Sequence, residues 1–327
     1  MRLGWVFAVL VAAVLIAVTS AVAIGSVRLP MAGLVGWAPL EPAHQAILWN
    51  VRLPRVLLAA VVGGGLAVVG ATLQAVFRNP LADAGLLGVS AGAALGAVLA
   101  VNAGWVSNVF LALPAAAFAG ALLALLLVYA LAHLAGRPTL HGLLLTGLAV
   151  SAVASAGLSM LLVATEEFRV KTVLFWLAGG LEGRSWPHLG VGSAFVLSGS
   201  VLLFLLARPL DLLSLGEDEA ASLGLPVHAA RLVFFGVAAL VAGAATAVAG
   251  SVPFVGLMAP HALRAVVGPP ARRLLPAAFL AGASLVVVAD LGARSLSDRY
   301  DLPLGSVTAF VGAPYFLLAI RRSEERA

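Results

Sequence analysis

Cysteine is absent from this chain of 327 residues, and lysine occurs once, at Lys171. The first absence excludes disulfides, thiolate metal sites and thiol nucleophiles. The second excludes a P-loop, in which a lysine between glycine and serine or threonine helps the backbone N–H groups cradle phosphates. Val170 precedes Lys171, so ATP, if it drives this protein, is bound by another chain. Charge is scarce too: 10% of residues are charged against 62% hydrophobic, with a mean hydropathy of +1.10. Soluble domains carry about 25% charged and 45–50% apolar residues, and disordered chains are poor in apolar residues. The solvent for most of this chain is lipid.

A helix needs about 20 apolar residues to cross roughly 30 Å of hydrocarbon, so the length allows about ten. The apolar runs are continuous and do not alternate every second residue, which argues against a β-barrel. Trp5–Ile24 is the first run, too long for the apolar region of a signal peptide. Others fall near 54–76, 85–101, 109–134, 142–164, 189–207, 229–250, 274–293 and 304–320. A shorter stretch, 252–267, is broken by Pro253, Pro260 and His261 and reads as either re-entrant or a tenth span. Arg2 at the head and Arg321, Arg322 and Arg326 at the tail favour the cytoplasm for both termini. That requires an even number of crossings, so the short stretch counts as the tenth. The expectation is an all-α, polytopic membrane protein forming a single domain over 1–327.

Catalytic and metal chemistry find no support. His133 and His141 flank one segment, while His44, His188, His228 and His261 are isolated, and no metal-ligand spacing appears. Gly88–Gly92 has the letters of a nucleophile elbow but lies in a membrane helix, whereas the elbow needs a strand before it. Gly92 and Gly96 form a GxxxG pair, common at close helix crossings. An ion-driven carrier would place carboxylates at mid-membrane, and here Asp83 and Asp290 lie near helix ends. The surplus of cations, 18 arginines and one lysine, is read as membrane topology and not as nucleic-acid binding.

Several arginines nevertheless fall on the outer side of the ten-span topology. Arg52 and Arg55 precede the second helix and Arg294 follows the ninth. Arg169, Lys171 and Arg184 bracket a short apolar segment, Thr172–Leu181. These suggest an outer face that meets something acidic, with interfacial anchoring as the alternative. Asp290 and Arg294 stand four apart and can pair on one face. The longest polar interruption, Arg208–Arg231, contains Leu215, Gly216, Glu217, Asp218, Ala220, Leu223, Gly224 and Leu225. It predicts a short helix stopped at Gly224, either a docking surface or a solvated loop.

Arg52-Leu53-Pro54-Arg55, Gly70-Ala71-Thr72-Leu73-Gln74, Arg78-Asn79-Pro80-Leu81-Ala82-Asp83 and Leu86 to Gly92 resemble the FecCD-type permeases of type II ABC importers. So do Trp176 to Gly180, the 215–224 loop, Phe254 to His261, Ala289 to Arg294, Leu302 to Gly305 and Gly312-Ala313-Pro314. The resemblance covers nearly the whole chain in order. It implies a ten-helix permease with short coupling helices, paired with a second copy of itself. Two ATP-binding subunits, which hold the ATP and Mg²⁺, would dock on the cytoplasmic face and a periplasmic binding protein on the outer face. Residues 211–225 would be the coupling element. Arg52, Arg55 and Arg294 would receive acidic side chains of the binding protein, and Asn79, Leu81, Leu140 and His141 would form a cytoplasmic gate. His141 departs from the small polar residue expected there. The cations Arg169, Lys171 and Arg184 at the outer mouth would favour an anionic cargo such as haem. Other iron chelates follow, then cobalamin.

Overall fold

The computed structural model describes residues 3–25, 27, 29–30, 39, 41–105, 111–134, 140–296 and 302–324. Every regular element among them is helical. In chain order these are α1 (Leu3–Ala23), α2 (Pro42–Val76), a 3-10 turn (Ala84–Leu87), α3 (Val89–Asn102), α4 (Ala112–Leu134), α5 (Leu140–Ala164) and α6 (Glu167–Leu177). There follow α7 (Trp186–Leu205), α8 (Ala207–Leu215), α9 (Glu217–Ser222), α10 (Val227–Ala249), α11 (Val255–Val267), α12 (Ala271–Ser295) and α13 (Leu304–Glu324). Seven of them, α1, α2, α4, α5, α7, α10 and α12, are long and apolar enough to cross a bilayer, and α3, α11 and α13 are shorter apolar helices. These coincide with the ten expected crossings. Among the apolar segments, two differ from the sequence reading. The second crossing starts at Pro42, through a π-helical stretch at Ile47–Arg52. The segment expected at Thr172–Leu181 is a helix from Glu167 to Leu177, so Arg169 lies inside it.

The core is built on α2 and α10. Helix α2 packs on α7, α10, α11 and α12, and α10 also meets α3 and α4. Around them α1 leans on α12, and α5 lies against α3 and α4. The outer helices leave large apolar side chains such as Met160, Val163 and Phe310 exposed, as lipid contact requires. Because lipid tails give helices no hydrophobic reason to associate, close approach of backbones has to hold them. A methyl group placed on Gly63 of α2 would run into the Gly282 carbonyl of α12, and one on Gly282 into the Gly63 carbonyl. The Gly92/Gly96 pair packs the same way on Gly120 of α4. Its partner is within this chain.

The crossing through α11 is made differently. Val248 and Leu58 both flank Gly192, whereas Gly256 sits against Gly70. The twelve residues of α2 between those two levels span roughly 18 Å at 1.5 Å per residue. The chain therefore drops that far through the non-helical residues 250–254 before α11 begins. Such backbone is tolerated at membrane depth only when protein surrounds it. Here Gln74 Nε2 donates to the Gly256 carbonyl at 3.0 Å, and Gly305 packs against the Ser251 carbonyl.

Candidate functional site

The bundle has two polar ends, named here by Arg55 and Arg78. At the first, Asp290 is 1% exposed and accepts from Arg55 Nε at 3.0 and 3.1 Å and from Arg55 Nη2 at 2.9 Å. Arg294 Nε stands 3.6 Å from the same carboxylate. The expected Asp290–Arg294 pair is thus present, but Arg55, 235 residues away in sequence, is the tighter partner. Arg52 donates to the carbonyls of Val22 at 2.7 Å and Ala23 at 2.9 Å, and also to that of Val27. Arg294 donates to the Ala21 carbonyl. Two guanidiniums therefore cap the last turn of α1, where unpaired carbonyls and the negative end of the helix dipole favour a cation. The three arginines expected to face a docking partner are all buried.

Two adjoining clefts open beside them. One, about 520 Å³, is lined by Arg55, Trp176, Glu182, Arg184, His188 and apolar groups including Phe175 and Pro303. The other, about 390 Å³, shares Arg55, Glu182 and Arg184 and adds Arg52 and Arg294. Ser185 and His188 form a capping box at the start of α7. His188 Nδ1 accepts from the Ser185 N–H at 3.4 Å and lies 3.2 Å from Ser185 Oγ, and Arg184 Nη1 lies 3.4 Å from Nε2. Burial pulls the Arg184 guanidinium down to about 10.

The other two cations of the expected cargo mouth are otherwise engaged. Arg169 donates to the Val101 and Asn102 carbonyls at 2.8 and 3.4 Å, capping α3, and pairs with Glu166 at 3.0 Å. Lys171 lies over the Phe175 ring at 5.9 Å. Of the three, Arg184 is the one the structure brings to the clefts. Sequence reasoning did not single out Trp176 or His188 for this end. Trp176 stands there only within the Trp176 to Gly180 resemblance, and His188 only as an isolated histidine.

At the Arg78 end the region 211–225 is two helices and not one. Helix α8 ends at Leu215, and Gly216, with φ 142° and ψ 163°, turns the chain into α9. That backbone region is essentially restricted to glycine. Helix α9 ends in a Schellman motif: Gly224, at φ 84°, donates to the Ala221 carbonyl at 2.9 Å, and Leu225 donates to that of Ala220 at 3.0 Å. The predicted stop at Gly224 is present. Ala220 is buried, while Leu215 and Leu223 are exposed on either side of exposed Glu217, Asp218 and Glu219. Buried Arg231 at the start of α10 pairs with Glu217, and Asp211 accepts from the Ala271 N–H at the start of α12 at 2.7 Å. Neither tie was legible from sequence, since each joins distant segments.

A gradient between the two glycines is expected. At Gly224 nothing lies within 4 Å of an added methyl, so Gly224→Ala should lose only the left-handed backbone preference, about 1–2 kcal/mol. Gly216→Ala should cost more, because the methyl would also displace the Glu219 carboxylate. Thermal unfolding of the two purified variants checks the order; equal midpoints would contradict it.

The neighbouring loop carries two of the gate candidates. Arg78 sits at φ 50°, and its guanidinium is 3.4 Å from where a Gly216 side chain would begin. Asn79 Oδ1 accepts from the Leu81 N–H at 2.9 Å, an Asx turn of the kind that Asn-Pro favours. Leu81 is exposed. Asp83 caps the 3-10 turn through the Ala84 N–H at 2.7 Å. Burial raises its carboxyl, and that bond pulls it partly back. The side chains of Leu140 and His141 lie outside the described residues.

The whole chain bears comparison with known proteins. Residues 10–322 match the FecCD transport family. The chain is 42% identical to the cobalamin import system permease protein of Halobacterium salinarum, covering 89% of this chain and 78% of that one. It is 41% identical to the hemin transport system permease protein of Yersinia pestis, over 86% and 85%. Among solved structures, an inward-facing metal-chelate type ABC transporter superposes with a TM-score of 0.88 at 32% identity, covering 98% of this chain and 99% of the other. A bundle of apolar helices with a half-length crossing, arginine-capped at one end and carrying an acidic helix pair at the other, therefore has a known relative across its full length: the chain belongs to the FecCD transport family and is the permease subunit of a type II ABC importer.

Proposed function

We propose that this permease admits haem or another anionic iron chelate at its Arg55 end and releases it at its Arg78 end. The observation that carries this reading is Arg184, a half-buried cation lining both clefts. In this reading the Arg55 end faces the periplasm and the Arg78 end the cytoplasm of a bacterial inner membrane, with both termini cytoplasmic. A second copy completes the path at a homodimer axis. Two ATP-binding subunits dock on exposed Leu215 and Leu223 with the acids between them, and a periplasmic binding protein docks over Arg52, Arg55 and Arg294. Those arginines are buried and paired in the single chain, so acidic side chains of that partner would meet a prearranged positive field more than free guanidiniums. Work is done by ATP closure in the partner subunits, and the permease contributes different affinities in its inward- and outward-open states. The 42% identity to a cobalamin permease favours cobalamin as a second reading.

The test is uptake into vesicles holding the purified chain, its ATP-binding subunits and its binding protein. Haem or ferric-chelate accumulation that needs internal ATP and the binding protein is expected. Accumulation of cobalamin alone would select the second reading, and uptake driven by an ion gradient without ATP would overturn both.

A further inference from the structure

Arg78 opens the loop that joins α2 to the 3-10 turn. Its backbone is left-handed, at φ 50°, a region that a residue other than glycine keeps only where its surroundings impose it, and such residues cluster at switch regions. The residue is exposed, and its side chain makes no hydrogen bond or ion pair among the described residues. Arg78 Nη1 nevertheless comes within 3.4 Å of the point where a Gly216 side chain would begin, and the Glu219 carboxylate of α9 comes nearer still to the same point. Opposite charges thus face each other across the bend between α8 and α9, close enough to attract but not joined. The loop beyond Arg78 is braced by its own backbone. The Asn79 N–H donates to the Gln74 carbonyl at 3.1 Å and the Ala82 N–H to the Asn79 carbonyl at 3.1 Å, while Pro80 fixes its own φ. It ends against two other helices. The Asp83 carboxylate is 2.8 Å from where a Gly256 side chain would begin in the first turn of α11, and a methyl group on Gly147 of α5 would run into the Leu86 carbonyl.

We propose that Arg78 is the positioning residue through which α9 sets the place of the 78–87 loop, by attraction between its guanidinium and the Glu219 carboxylate. This rests on the importer reading above and adds the residue that carries a change at the docking surface into the bundle. Both groups are exposed, so in water their attraction is weak and screened. An ATP-binding subunit seated on Leu215 and Leu223 would cover Glu219, which lies between them in the chain, and excluding water would strengthen the attraction. Arg78 then follows α9. The braced loop passes the shift to α11 through Asp83 and to α5 through Leu86, and the gate candidates Asn79 and Leu81 ride on it. A glycine at position 78 would hold the same backbone without strain. What an arginine adds there is the charge and its reach toward Glu219.

Because the chain has no cysteine, a spin label on Leu81→Cys reports the loop alone. Saturating ATP-binding subunits with a non-hydrolysable ATP analogue should change the label's spectrum. Arg78→Gln should abolish that change and leave pull-down of those subunits intact, whereas Arg78→Lys, which keeps the charge, should retain most of it. Arg78→Gly gives the readout that a merely structural arginine would not. It relieves the left-handed backbone, so its thermal midpoint should not fall, yet the spectral change should be lost as in Arg78→Gln. In the vesicle assay Arg78→Gln should cut cargo moved per ATP about tenfold, within the range of one coupling contact. At saturating ATP-binding subunits, Glu219→Gln and the double variant should fall about as far as Arg78→Gln alone, since the two residues act as one contact. No spectral change in the parent, a change that survives Arg78→Gln, a lower midpoint for Arg78→Gly, or losses that multiply in the double variant would each overturn the assignment. If wild-type vesicles move no cargo, the importer reading fails, and the Leu81 spectra still decide the role of Arg78.

Discussion

Asp290→Ala should destabilise the protein by about 3–5 kcal/mol, the range for an uncompensated buried charge. Either single arginine change at the same cluster should cost less. The asymmetry follows from who is left behind. Without Asp290, Arg55 and Arg294 keep two buried positive charges with no carboxylate between them. Without Arg55, as in Arg55→Leu, the carboxylate retains Arg294 on the same helix face, 3.6 Å away. Arg294→Leu leaves the bidentate Arg55 pair intact and removes the donor to the Ala21 carbonyl, a loss of roughly 1.5–3 kcal/mol for a hydrogen bond to a charged group. The measurement is the thermal midpoint of each purified variant in one detergent. Equal losses for all three would mean that the cluster is not held together by Asp290.

Adding one methyl to the glycines at the α2 crossings should have the next largest effect. Gly63→Ala pushes into the Gly282 carbonyl and the Val286 side chain, and Gly70→Ala into the Gly256 carbonyl. Backbone cannot step aside as a flexible side chain can, so each is expected to cost at least about 1–3 kcal/mol. Gly236→Ala in α10 is the control, since nothing lies within 4 Å of the added methyl. It should gain about 0.5–1 kcal/mol of helix stability. A stability loss at Gly236 equal to that at Gly63 would show that helix glycines act here through something other than close approach.

The crossings were legible because the membrane imposes one length and one period on each. Even the short stretch at 252–267 could be counted, by the parity of positive charge at the two termini. The start of α2 was not legible: Arg52, Pro54 and Arg55 interrupt the apolar run, and nothing local announces that a π turn carries the helix back to Pro42. The Schellman stop at Gly224 was legible, being a matter of adjacent residues, whereas the division of 211–225 into two helices was not, because apolar and acidic residues continue across Gly216. Burial of the arginines was the hardest to foresee. Arg52 reaches Val22 and Ala23, Arg169 reaches Val101, and Arg55 reaches Asp290. A sequence shows where a cation falls along a span but not which distant helix end lies beside it. The candidate cargo site was legible only as a tally of positive charge, and Arg184 is the part of it that the fold brings to the clefts.

The half-length crossing bears on how the chain is made. Helix α11 has 13 residues and carries Pro260 inside it, well short of the roughly 20 apolar residues that cross a bilayer alone. Neither it nor the non-helical residues 250–254 is a unit that lipid would accept alone. Their backbone is matched by groups synthesised much earlier, Gln74 and the surface of α2 around Gly70. During translation this crossing must therefore enter a membrane in which α2 already stands, or wait at the insertion machinery with α10 and α12 until it can. Residues 250–267 are inserted against protein, and α2 has to be there to receive them.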